Sequence, residues 1–176
     1  MKNRKLSDFQ RDPYLRVIRP LAQAYLAFTR LGGRHIEEMG VTPAQFDVLA
    51  ELGGTSGMTC ADLSEATLIT KGTLTGVLDR LERKGLLKRK GVDSDRRAVH
   101  VQLTAKGDSL YRKIFPAHGK FLRPYLQRAF SARDIEGLKA QLCLLRDSFE
   151  PRPRIPSKTK KERPNGKTRR DRLSHP

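Results

Sequence analysis

The chain has no tryptophan, only two cysteines and few aromatic residues, and its acids are scarce: 19 Asp and Glu against 36 Lys and Arg in 176 residues. Each shortage excludes something. Cys60 and Cys143 have no Cys-x-x-Cys partner and no ligand-like spacing to the four histidines. A disulfide scaffold and a metal site are therefore not expected, and a reducing compartment is. No apolar run reaches the ~18 residues of a membrane span, and Met1 to Gln10 is too polar for a signal peptide. A cytoplasmic protein without a membrane partner is expected. Phosphate loops and nucleophile motifs are missing too. Glu37 and Glu38 are adjacent acids that diverge on a helix, and Asp93 and Asp95 fall in a solvated turn. Neither pair suits an enzyme, and no cofactor is expected.

What is abundant is positive charge. The formal net charge is +17. Residues 151–176 hold ten Lys and Arg against Glu162 and Asp171, which leaves +9 on residues 1–150. A chain this basic attracts polyanions, nucleic acid first and an acidic membrane surface second. The tail accounts for about half of the excess; the rest needs a folded surface.

The apolar pattern divides the chain. Residues 1–12 and the Pro-, Lys- and Arg-rich 151–176 have little to bury and are expected to be disordered. A first helical region covers 13–39, with Pro20 starting or kinking it, Gly32-Gly33 weakening its middle and Gly40 ending it. Thr42-Pro43-Ala44-Gln45 carries a cap, a first-turn proline and a glutamine that reaches back. Thr59 to Asp62 starts the next helix, and Thr70 caps the one that ends at Gly85. Leu86 to Lys90 and Ala98 to Leu103 read as two strands around Asp93 to Arg97. Thr104 opens a long helical stretch to about Ala129, in which Pro116, Gly119 and Pro124 predict one or two bends; Ser131 to Asp134 caps a last helix to Phe149. The fold class is mainly α (α+β): a winged helix-turn-helix over about 42–104, with terminal helices at 13–39 and 104–149. The apolar stripes left on those terminal helices predict burial against a second copy.

Rotating Thr70 to Lys84 at 100° per residue turns Leu74, Val77, Leu78 and Leu81 inward. Gly72, Thr75, Gly76, Asp79 and Arg83 turn outward, flanked by Thr73 and Arg80 on one side and Lys71 on the other. A glycine inside a helix costs about 1 kcal/mol relative to alanine. Two on one outward face suit a helix that approaches the floor of a major groove. Asp95, Arg96 and Arg97 stand at a hairpin apex, where arginine suits a narrow minor groove. Ser64, Lys88, Arg89 and Lys90 are phosphate candidates. A solvated charged face is the plainer account of each feature; their succession favours double-stranded DNA.

The run Leu63 to Gly107 resembles the MarR (multiple antibiotic resistance regulator) family. The resemblance is strongest in Leu78-Asp79-Arg80-Leu81-Glu82-Arg83-Lys84-Gly85-Leu86-Leu87, in Asp95-Arg96-Arg97 and in Leu103-Thr104-Ala105-Lys106-Gly107. It implies a two-fold dimer with intertwined terminal helices, binding inverted-repeat operators, usually as a repressor. It implies recognition by the helix from Thr70, and an Asp-x-Arg wing at Asp95 and Arg97 with the arginine in the minor groove. Small phenolic or other aromatic ligands, in many members, bind between the dimer helices and the DNA-binding lobe. Arg16, Tyr25 and His35 are candidate contacts for such a ligand. For Cys60 and Cys143 a small apolar packing role is expected; sensing is the alternative, with Cys60 at a helix start where the macrodipole favours a lowered thiol pKa. A sequence-neutral DNA-compacting or RNA-associated basic protein is the competing reading.

Overall fold

Helix boundaries fall where short polar side chains can satisfy the first free amides. The computed structural model describes residues 11–92 and 95–149; the side chains of 92–98 lie outside the described residues. The helix α1 (Pro13–Arg16) starts at Asp12, whose carboxylate accepts from the Tyr14 amide at 2.8 Å. Asp12 and Arg11 thus belong to the described fold, although 1–12 reads as disordered. α2 spans Ile18–Glu38. Pro20 sits in its first turn, where a missing N–H costs nothing. The helix runs unbroken through Gly32 and Gly33, and Gly32 is buried facing His118.

α3 (Pro43–Leu52) opens on a reciprocal capping box: Thr42 Oγ1 accepts from the Gln45 amide, and Gln45 Oε1 from the Thr42 amide, both at 3.2 Å. A two-residue strand, β1 (Met58–Thr59), leads into α4 (Cys60–Ala66), where Thr59 accepts from the Asp62 amide. α5 covers Lys71–Arg83. Gly85, at φ +69°, then turns the chain into β2 (Leu87–Val92), which pairs antiparallel with β3 (Asp95–Leu103). The sheet order is β1-β3-β2. α6 (Ala105–Ala129) starts at Thr104, which accepts from the Gly107 amide, and it continues as assigned helix through Pro116 and Pro124.

The core gathers the predicted inward faces. Leu74, Val77, Leu78 and Leu81 of α5 meet Val48, Leu49 and Leu52 of α3, with Leu63, Leu87 and Val101 closing the layer. Each such side chain contributes about 1.5–3 kcal/mol by leaving water. The unit ends at Ser131. α7 (Ala132–Phe149) belongs to a second unit, has no buried residue and leaves Leu142, Leu144 and Phe149 exposed.

Candidate nucleic-acid interface

α5 presents its start to solvent. Lys71, Gly72, Thr73 and Thr75 are exposed, as is Arg80 further along; Gly76 is half-buried. Thr70 has the extended backbone of a cap residue, but its hydroxyl bonds the Thr73 hydroxyl at 3.0 Å and caps no amide. The expected cap is therefore absent, because two hydroxyls three residues apart satisfy each other. The first turn keeps amide donors facing outward, which suits a phosphate.

The two glycines are not demanded by the chain's own packing. A methyl group at Gly72 would meet nothing within 4 Å, and one at Gly76 only the Arg80 guanidinium, at 3.7 Å. Packing among the described residues therefore does not account for their cost in helix stability. Gly76→Ala is expected to raise stability by about 0.5–1 kcal/mol while lowering affinity for operator DNA, read by thermal melting and fluorescence anisotropy. A variant that gains in both would remove the groove-floor argument.

The wing is tied to the same helix. Arg89 of β2 donates from Nε to Glu82 Oε2 at 2.9 Å and pairs through Nη2 with both Glu82 and Asp79. Its backbone amide donates to Glu82 Oε1 at 3.1 Å. Arg89 is thus a strut between helix and hairpin, which corrects its reading as a phosphate contact. Strand alternation turns it toward α5 and leaves Lys88 and Lys90 exposed. Asp79, counted above among the outward residues, is half-buried by the same contact.

One further expectation changes, and one alternative is set aside. Ser64 is half-buried, and its Oγ is covered without a hydrogen-bond partner. It faces packing, not a phosphate. Burial pushes the Cys60 thiol up, with the Arg89 charge offsetting only part of the rise, so the helix start does not make it a low-pKa nucleophile. Cys143 is exposed on α7. The side chains of Asp95, Arg96 and Arg97 lie outside the described residues, although their backbone forms the start of β3.

A cavity of about 450 Å³ lies between α2, α3 and α6, walled by Tyr25, Phe28, Asp47, Leu68, His118 and Leu122 among others. Tyr25 is in its wall; Arg16 and His35 are not. Instead, His35 Nδ1 lies 3.1 Å from His118 Nδ1, and its ring stacks on Phe121 at 4.0 Å. Burial, with His35 beside it, pushes the His118 imidazole below its usual range. Sequence separation hid this pair, since the two histidines stand 83 positions apart. Among the described residues no three metal-ligating side chains cluster, and no helix is long and apolar enough to cross a membrane.

An exposed helix with its hairpin strutted alongside defines a winged helix-turn-helix protein. A MarR family model matches residues 39–98. The chain is 36% identical over 98 residues to the transcriptional regulator MhqR of Bacillus subtilis, covering 56% of this chain and 68% of MhqR. It is 32% identical over 138 residues to the regulator PecS of Dickeya dadantii, covering 77% and 82% of the two chains. Among solved structures, that of Bordetella bronchiseptica BpsR, whose DNA binding is regulated by 6-hydroxynicotinic acid, superposes with a TM-score of 0.66 at 26% identity, over 73% of this chain and 91% of BpsR. The chain belongs to the MarR family. It is a transcriptional regulator and not an enzyme.

Proposed function

We propose that the protein is a cytoplasmic, sequence-specific repressor. It binds an inverted-repeat operator in double-stranded DNA as a homodimer, and a small aromatic or phenolic ligand releases it. One observation carries the DNA reading: α5 exposes a glycine- and threonine-bearing surface whose Cβ positions are free, with the wing strand held to that same helix by Arg89. Lys71, Gly72, Thr73, Thr75, Gly76 and Arg80 would address the major groove and its phosphates, with Thr70 at the helix start. Lys90 would meet a phosphate, and Asp95, Arg96 and Arg97 the minor groove. Two copies are supported by apolar side chains left exposed on α2 (Ile18, Tyr25, Leu26, Phe28) and on α6 (Phe115, Tyr125, Leu126). The cavity beside Tyr25 supports the ligand reading, as does the relative that responds to 6-hydroxynicotinic acid.

The test is selection of a binding site from random-sequence DNA, then competition against unselected DNA at fixed salt. An inverted repeat bound at least about a thousandfold more tightly is the expected result; equal affinity for both would favour a sequence-neutral binder. Truncation after Phe149 is expected to weaken operator and random DNA alike and to flatten the salt dependence, because its ten cations act through counterion release. Selective loss of operator binding would contradict that role for the tail.

A further inference from the structure

The turn between α4 and α5 decides where the recognition helix begins, and little inside the turn holds it. The Thr67 amide and hydroxyl both donate to the Leu63 carbonyl, at 3.0 and 2.8 Å, which closes α4. Thr70 and Thr73 bond each other at the start of α5. The amide of Leu68, between them, would be left over. It donates instead to Asp47 Oδ2, at 2.8 Å, from a helix 21 residues away. Leu68 itself is 90% exposed, so its side chain anchors nothing in this unit. Ile69 packs on the core, and Asp47 supplies the second point of attachment.

Asp47 is an odd residue to keep there. It is half-buried, no cation pairs with it among the described residues, and burial pushes its carboxyl up while the Leu68 amide pulls it back. A negative charge near a DNA-binding surface also opposes DNA. We infer that Asp47 is the positioning residue for the recognition helix, holding its first turn in the register that base contacts require through the Leu68 backbone. Asp47, Leu68 and Ile69 also form one wall of the cavity whose other walls include Tyr25, Phe28 and Leu122. An occupant that displaces the Asp47 carboxylate therefore acts directly on the start of α5. The inference rests on the DNA-reading role of α5 and not on the identity of any ligand.

The experiment uses full-length Asp47→Ala and Asp47→Asn, with affinities for the selected operator and for random DNA measured at one salt concentration. By charge alone, Asp47→Ala would tighten both. The expected result is a drop of about tenfold in the operator-to-random ratio, carried by the operator, with random binding equal or tighter. Amide exchange at Leu68 should accelerate while Val48 and Leu49 stay protected. Asp47→Asn keeps an acceptor oxygen and should hold the ratio within about threefold of the parent. An unchanged ratio in Asp47→Ala would overturn the inference. So would a parallel loss on both DNAs with deprotection of Val48 and Leu49, which marks a general folding role. A parent protein without operator preference would instead remove the DNA-reading role of α5 on which the inference stands.

Discussion

Arg97→Ala is expected to cost about 1–3 kcal/mol of operator binding, roughly a 5- to 150-fold loss, with little change in melting temperature. β2 and β3 form one antiparallel ladder from Leu87↔Leu103 to Gly91↔Val99, with a register shift between Gly91 and Val92. Its inner end is fixed to α5 through Arg89, Asp79 and Glu82. A cation carried by β3 near the apex is therefore delivered at a set distance from the recognition helix. Arginine in a narrow minor groove gains from the concentrated negative potential there, and alanine forfeits that gain without touching the core. Anisotropy titration on operator and random DNA separates the outcomes. A loss on the operator alone supports groove insertion; an equal, small loss on both would reduce Arg97 to one more phosphate contact. Arg89→Ala makes the contrast, because it should lower melting temperature and operator affinity together.

Gly107→Ala is expected to destabilise the fold by about 1–3 kcal/mol or more, lowering the melting temperature by roughly 2–4 °C per kcal/mol. A Cβ at this position would overlap the Leu86 carbonyl oxygen and lie 2.9 Å from its carbonyl carbon. Both are backbone atoms, so no rotamer change relieves the clash. The neighbourhood is cross-linked as well. The Thr104 amide donates to that same Leu86 oxygen at 3.1 Å, the Thr104 hydroxyl to the Gly85 carbonyl at 2.7 Å, and Lys106 Nζ to the Lys84 carbonyl at 2.8 Å. Moving the start of α6 away from the turn between α5 and β2 would strain all three. Scanning calorimetry of Gly107→Ala beside Gly72→Ala, where a methyl has open space, makes the comparison internal. Equal melting temperatures for the two would refute the close approach.

Much of this arrangement could be read from residue patterns. The steps between Leu74, Val77, Leu78 and Leu81 mark a buried face, and all four are buried. Thr42-Pro43-Ala44-Gln45 and Thr59 to Asp62 place two helix starts by local chemistry alone, which is why both appear as expected. Contacts between distant segments were harder. β1 is two residues long and gains its identity only from pairing Met58 with Val101 and Thr59 with His100; two residues show no alternation. Lys88-Arg89-Lys90 looks uniform as a string, although strand alternation alone separates Arg89 from its neighbours. Asp47 carries no motif, and its function depends on an amide in another turn. His35 and His118 look unrelated until α2 and α6 pack.

In the proposed complex, α5 and the hairpin beside it engage one duplex at once, in adjoining grooves. Methylation interference on the selected operator tests it most directly, because dimethyl sulfate marks guanine N7 in the major groove and adenine N3 in the minor groove. Each half of the repeat should show a major-groove patch flanked by a minor-groove patch, with the minor-groove patch alone lost in Arg97→Ala. Interference confined to one groove, or a pattern unchanged by that substitution, would rule out simultaneous engagement of both grooves.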